Sequence, residues 1–98
     1  MSELYLVVGL QAKKGKEDQL KQDLIAVVEP SRRDFGNLRY ELYVDDADPG
    51  QFVFVEHWVS AEAQEAHHTQ SAHIQQFHLS GAANVEKTTF LHRLSRIA

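Results

Sequence analysis

The sequence contains no cysteine. Disulfide bonds, thiolate nucleophiles and cysteine-ligated metals are therefore excluded. An excess of positive charge is also missing, because the ten Lys and Arg residues are scattered along a chain whose net charge is −4. Nucleic acid and anionic membranes are therefore not expected as partners.

The N-terminal stretch from Met1 to Tyr5 has neither a basic region nor a long apolar run. Export and membrane spanning are thus not indicated, and we expect a cytoplasmic protein. No repeat, linker or low-complexity segment interrupts the sequence. We therefore expect residues 1–98 to form a single domain.

The stretch Phe52–Val59, FVFVEHWV, predicts a strand, because six of its eight residues are aromatic or β-branched. One face of this strand would carry Phe52, Phe54, Glu56 and Trp58. Both faces are mostly apolar, so we expect both to be covered. A buried carboxyl group such as that of Glu56 is costly unless it is hydrogen-bonded, paired with a charge or protonated, so Glu56 is expected to have a partner or a functional role. We therefore predict that this strand forms the floor of a pocket.

Three further strands are predicted at Leu4–Ala12, Leu38–Asp45 and Lys87–Ile97. The first is apolar enough to be central, and Gly9 within it indicates a bulge or a close backbone approach. Asp48-Pro49-Gly50 predicts a tight turn that joins the second and third strands into a hairpin.

Helical spacing is found in two regions. Leu20, Leu24, Val27 and Val28 form one apolar stripe. Pro30 is expected to break or kink that helix. Ser60 is expected to cap a helix that begins at Ala61 and ends near His68, and Ser71 a helix from Ala72 to about Leu79.

The resulting order, β-α-β-β-α-β, predicts an α+β, ferredoxin-like fold with a four-stranded antiparallel sheet and helices on one face. The other face carries too many apolar side chains for contact with water. We therefore expect a homodimer that covers this face and encloses a cavity, and we expect that cavity to be the pocket.

A set of short motifs resembles the antibiotic biosynthesis monooxygenase family over essentially the whole chain. In order, these are Gly15-Lys16, the run Gly36-Asn37-Leu38-Arg39-Tyr40-Glu41-Leu42, Asp48-Pro49-Gly50, Phe52, Glu56-x-Trp58, and His68 with Ser71-x-His73. The resemblance implies a dimeric α+β barrel with a cavity in each subunit. It also implies a cofactor-independent oxygenase that acts on a quinol or anthrone with O2.

His68 and His73 match family positions at the cavity mouth, so either is a candidate base that titrates near neutral pH. Glu56 would orient the base or handle protons; alternatively it would be a structural acceptor for Arg39 or Arg93.

Trp58 is either a core aromatic residue or a wall on which a flat substrate stacks. Tyr40, whose hydroxyl would reach the pocket, and Phe54 complete the predicted substrate-binding residues. The spacing from Trp58 to His68 also resembles the haem-degrading relatives, but the Asn that those enzymes carry on the first strand is missing here.

No metal site is expected from the histidines. His67, His68, His73 and His78 contain no pair at i, i+4, and no HExxH motif is present. His67, His78 and His92 are expected to be ordinary histidines on the surface.

The main functional hypothesis is a cofactor-free monooxygenase for a small aromatic quinol or phenol. Two alternatives remain: an isomerase of a small carbonyl compound, which would be indifferent to O2, and a non-catalytic ligand-binding protein.

Overall fold

The computed structural model describes residues 2–98. Its elements are β1 (Leu4–Ala12), α1 (Glu17–Arg32), β2 (Asn37–Asp45), β3 (Asp48–Trp58), α2 (Ala61–Gln70), α3 (Ala72–Gln76) and β4 (Val85–Leu94). All strand pairs are antiparallel, in the order β2-β3-β1-β4. This is the predicted α+β, ferredoxin-like arrangement.

The alternation along β3 decides how the sheet packs. Its inner side chains, those of Phe52, Phe54, Glu56 and Trp58, are buried. The intervening Val53, Val55 and His57 are only half-buried. The predicted separation of the two faces is confirmed, and within one chain only the inner face is covered.

Helix α1 covers the inner face through Leu20, Leu24 and Val27, which are buried at i, i+4 and i+7. Of the break or kink predicted at Pro30, the break does not occur, because α1 continues to Arg32. Packing of the apolar stripe outweighs the one backbone hydrogen bond that a proline cannot donate. The Arg32 Nε also donates to the Tyr40 carbonyl at 3.0 Å, which fixes the helix end to β2.

The predicted hairpin between β2 and β3 is present, but the predicted position of its turn is wrong. Asp45 pairs with Asp48, so the turn consists of residues 46–47, and Asp48-Pro49-Gly50 begins β3. The Asp45 carboxylate accepts a hydrogen bond from the Ala47 backbone N–H at 2.7 Å, a side-chain interaction that stabilises a turn. Pro49 is tolerated because it lies at the start of a strand.

The second helical region is interrupted. Ser60 caps α2 as predicted, since its hydroxyl accepts from the Ala63 N–H at 3.1 Å. Ser71 makes no such cap to α3. After Gln76 the chain forms a π-helical turn, Phe77–Gly81, and a short 3-10 turn, Ala82–Asn84, instead of one helix to Leu79.

Gly9 fulfils the predicted close approach. A Cβ atom there would lie 2.4 Å from Cε2 of Phe90, and the register between β1 and β4 shifts after Gly9. Gly36 has a φ of +80°, and a Cβ atom there would meet that of Ala63 at 2.6 Å. Between residues 2 and 98, no helix combines the length and apolar character needed to cross a bilayer.

Candidate functional site

A cavity of about 550 Å³ lies between the inner face of the sheet and the helical segments. Its apolar wall consists of Leu6, Val8, Leu10, Leu24, Val27, Phe54, Ile74, Phe77, Val85 and Leu91. Its ionisable groups are Tyr40, Glu56, Glu65, His67, His68, His78, Lys87 and Arg93. A pocket with β3 at its floor is therefore present within a single chain, on the face opposite to the one where the cavity between two subunits was expected.

Glu56 is 5% exposed at the cavity floor. Burial raises the pKa of its carboxyl group to about 7, and a hydrogen bond from Trp58 opposes the rise. The alternative in which Glu56 accepts from Arg39 or Arg93 is wrong. Arg39 pairs with Glu41, and Arg93 donates to Gln64 at 3.4 Å.

Trp58 is fully buried and does not line the cavity. Its indole Nε1 donates to Oε1 of Glu56 at 2.9 Å. Its ring lies against the His67 imidazole, with ring centroids 4.8 Å apart. Trp58 is thus a core aromatic residue that holds two cavity residues, and its placement does not favour stacking on a substrate.

Tyr40 and Phe54 both line the cavity, as predicted, and their ring centroids are 5.2 Å apart. Burial, together with the nearby Glu56, raises the pKa of the Tyr40 phenol far above its ordinary value. Tyr40 therefore stays protonated and can donate a hydrogen bond.

The two candidate bases occupy different environments. His68 is exposed, lines the cavity and lies edge-on to His78, with ring centroids 5.5 Å apart. His73 does not line this cavity. Instead its Nε2 lies 3.0 Å from the Ser31 hydroxyl and 3.4 Å from Oδ2 of Asp34.

His67 was expected on the surface, and that expectation is wrong. It is 5% exposed and lines the cavity. Its Nδ1 lies 2.7 Å from Oδ2 of Asp34, a residue in the loop after α1. A signal was present in the sequence, because Ala63 and His67 are four residues apart and share the buried side of α2.

The hydrogen bonds around Asp34 define which nitrogens carry protons. Ser71 donates to Oδ2 of Asp34 at 2.7 Å, and His67 Nδ1–H donates to the same oxygen. The single Ser31 hydroxyl proton goes to the Val27 carbonyl at 2.6 Å. Ser31 must therefore accept from His73 Nε2–H.

Asp34, His67 and His73 also offer one potential metal-ligand atom each, and these atoms lie within 4.8 Å of one another. Sequence spacing did not reveal this set, because Asp34 is 33 residues from His67. The Asp34 Oδ2, His67 Nδ1 and His73 Nε2 atoms each take part in a hydrogen bond within the protein. The cluster is thus complete as a hydrogen-bonded network.

The comparisons with known proteins agree with this architecture. The family model for antibiotic biosynthesis monooxygenase matches residues 4–79. The chain belongs to this family. No curated protein matches the chain.

Solved structures of similar fold include PA3566 from Pseudomonas aeruginosa, with 30% identity and a TM-score of 0.92 over 100% of this chain and 97% of the other. An antibiotic biosynthesis monooxygenase structure has 24% identity and a TM-score of 0.88, covering 97% of this chain and 99% of the other. Rv0793 from Mycobacterium tuberculosis has 20% identity and a TM-score of 0.88, covering 99% and 97%. The last two similarities show the fold alone.

Proposed function

We propose that this member of the family is a cofactor-independent monooxygenase that acts on a small aromatic quinol or phenol. The observation that carries the proposal is the cavity itself, whose mostly apolar wall encloses a carboxyl group with a pKa of about 7, a phenol and an imidazole. Its volume of about 550 Å³ lies within the range of small-molecule sites. A flat bicyclic ring fits such a space.

The substrate itself would supply the reducing power. Loss of a phenolic proton gives an electron-rich anion that can pass an electron to O2. Overall, a naphthoquinol and O2 would give a hydroxynaphthoquinone and water. One oxygen atom becomes a hydroxyl group on a ring carbon, and the other leaves as water. The quinol supplies all four electrons. The protein then needs a base, donors for the developing anion and exclusion of water.

The cavity residues have separate tasks in this proposal. Phe54 provides apolar contact with the ring, and the Tyr40 hydroxyl donates to a substrate oxygen. Glu56 exchanges a proton near neutral pH, because its carboxyl group is half-ionised there. Trp58 holds Glu56 through the indole N–H. His68 lies at the exposed side of the cavity and contacts the bound ligand there.

The test is oxygen uptake with a reduced naphthoquinol, after subtraction of autoxidation. Leu91→Trp should fill the cavity and abolish most of the enzyme-dependent uptake, because Leu91 lines it. Leu38→Trp is the matched control, since Leu38 is 54% exposed, Leu91 is 53% exposed, and Leu38 does not line the cavity.

Labelled oxygen identifies the reaction. With ¹⁸O2, the product should gain one labelled oxygen atom and the other should appear in water. Uptake without label in the product would contradict a monooxygenase. Turnover that persists without O2 would instead establish the isomerase, and saturable binding with no turnover would establish a ligand-binding protein.

A further inference from the structure

The Nε2 atom of His67 is available for chemistry. It makes no hydrogen bond to any of residues 2–98, whereas Nδ1 is taken by Asp34. No fully enclosed polar side-chain atom in that range lacks a partner. The His67 Nε2 is therefore open, and the cavity is the space that the imidazole lines.

The surrounding rings fix the orientation of this imidazole. Trp58 packs against it with centroids 4.8 Å apart, and Tyr40 lies edge-on at 5.4 Å. Asp34 accepts a hydrogen bond from Nδ1, and the Ser71 hydroxyl donates to Asp34. A carboxylate that accepts from Nδ1–H selects the tautomer with a lone pair on Nε2.

The surroundings of the His67 imidazole favour its neutral form. Burial lowers the pKa of His67, the Asp34 carboxylate opposes this, and the neighbouring His73 and His68 add to the lowering. Tyr40 faces the same ring and remains protonated. A neutral imidazole with a free lone pair is the form that accepts a proton.

We propose that His67 is the general base that removes the phenolic proton of the substrate, and that Asp34 is its positioning residue. The inference rests on the proposed function for its substrate class. In this step the phenol O–H bond breaks, a new N–H bond forms at Nε2, and the electron pair remains on the phenolate oxygen. The imidazolium is then stabilised by the Asp34 carboxylate, and no electron leaves the substrate.

The other two histidines lack this combination. His73 uses Nε2 to donate to Ser31 and does not line the cavity. His68 lines the cavity, but it is exposed, and its ring neighbour is His78. The base is therefore assigned to His67, and not to His68 or His73, which the family resemblance indicates.

Binding of 4-nitrophenol tests the proton transfer without O2, because its phenolate absorbs visible light and its phenol does not. The wild-type cavity should raise the ionised fraction of the bound probe. His67→Gln, which keeps a polar side chain but has no basic nitrogen, should bind the probe but lose this increase. His92→Gln is the matched control and should retain it, because His92 is exposed and does not line the cavity.

Asp34→Asn tests positioning. It keeps the side-chain shape but removes the negative charge, so it should lower the ionised fraction while probe affinity stays within about threefold of the wild type. With the quinol, His67→Gln should lower kcat by about 100-fold or more, the usual contribution of a general base. Loss of ionisation in His68→Gln, with His67→Gln unaffected, would overturn the assignment.

Two measurements remain decisive even if a variant does not fold. Nitrogen NMR of the wild-type protein above pH 7 should show His67 protonated at Nδ1 and not at Nε2; the opposite tautomer overturns the proposal. If EDTA abolishes probe ionisation and Zn²⁺ restores it, the Asp34, His67 and His73 cluster is a metal site and the base assignment is wrong.

The outcomes separate this inference from the proposed function. Probe ionisation that depends on His67, without oxygen uptake on any quinol, leaves the base in place and rejects the monooxygenase. Oxygen uptake with wild-type kinetics in His67→Gln retains the monooxygenase and rejects this base. Wild-type binding of the probe with no increase in ionisation also rejects it.

Discussion

Glu56 and His67 lie on the same cavity, and burial acts on them in opposite senses. It favours the protonated carboxyl group of Glu56 and the unprotonated imidazole of His67, since each is the uncharged form. Burial therefore leaves the Glu56 carboxyl group with a pKa of about 7 and holds the pKa of the His67 imidazole below its ordinary value. This gives the cavity a proton donor and a proton acceptor under the same conditions.

The raised pKa of Glu56 predicts how its contribution to stability varies with pH. The folded state binds the proton more tightly than the unfolded state, so the free energy of unfolding is highest below the unfolded pKa and falls as pH rises through about 7. A rise from 4.5 to about 7 corresponds to about 3 kcal/mol. Urea unfolding should show the wild type losing this amount relative to Glu56→Gln between pH 4.5 and 8.

The control for this comparison is Glu62→Gln, because Glu62 is exposed in the first turn of α2. Its unfolding free energy should follow that of the wild type across the pH range. Parallel curves for Glu56→Gln and the wild type would show that the carboxyl group is not perturbed.

At the residue scale, the sequence correctly predicted that Glu56 is buried, whereas the expectation that His67 lies on the surface was wrong. A carboxylate between two aromatic residues of one strand face is recognisable without a structure. The burial of His67 follows from its spacing to Ala63, but its hydrogen bond to Asp34 depends on how the loop after α1 meets α2. The contact of His73 with Ser31 was not predicted for the same reason, since the two residues are 42 positions apart in the sequence.

Among the secondary-structure elements, α2 matters most to the site because it carries His67 and His68. Its first turn depends on Ser60, whose side chain is buried and accepts from the Ala63 N–H. Turn and cap chemistry is local, so this start was predicted correctly. The interruption of the helical region after α3 was not predicted. There the chain forms a π-helical turn at Phe77–Gly81, where a Cβ atom on Gly81 would meet the Phe77 ring at 2.5 Å.

Removal of the cap should therefore weaken α2. Ser60→Ala is expected to lower the free energy of unfolding by about 1 kcal/mol, because the Ala63 N–H loses its acceptor. Ser60→Thr keeps a hydroxyl and should lose less. Equal stability of Ser60→Ala and the wild type in urea unfolding would mean that another group replaces the cap.

At the scale of the whole molecule, the outer face of the sheet is unlike an ordinary surface. Tyr5, Val7, Val53 and Val55 are only half-buried there, and Tyr43 is 49% exposed. An apolar depression of about 440 Å³ lies beside them, lined in part by Tyr5, Val7, Val55 and Leu94. We propose that a second copy of the chain covers this face, as the apolar pattern predicts.

Sedimentation velocity tests the dimer. Val55→Glu places a charge at the centre of the outer face and should convert a dimer into a monomer, because an unpaired charge at an interface is costly. Val44→Glu is the control, since Val44 is 46% exposed at the hairpin end and lies on the other face. A monomeric wild type, or a dimeric Val55→Glu, would contradict this arrangement.

The sequence predicted the overall architecture well because strand alternation, helical periodicity and capping are local patterns. Its errors share one origin. Pro30, the position of the hairpin turn and the interrupted helix near Phe77 are places where contacts between distant segments override local preference. Site geometry depends on such contacts, so the cavity floor was predictable and the histidine beside Asp34 was not.

Strand β4 gives the cavity an adjustable side. It is an edge strand whose one neighbour among the described strands is β1, it has no buried residue, and it contributes Leu91 and Arg93 to the cavity wall. Ligands of different width could be accommodated by displacement of this strand while α1 and β3 stay packed. Natural variation at positions 88, 91 and 93 could thus alter the range of accepted molecules without loss of the fold.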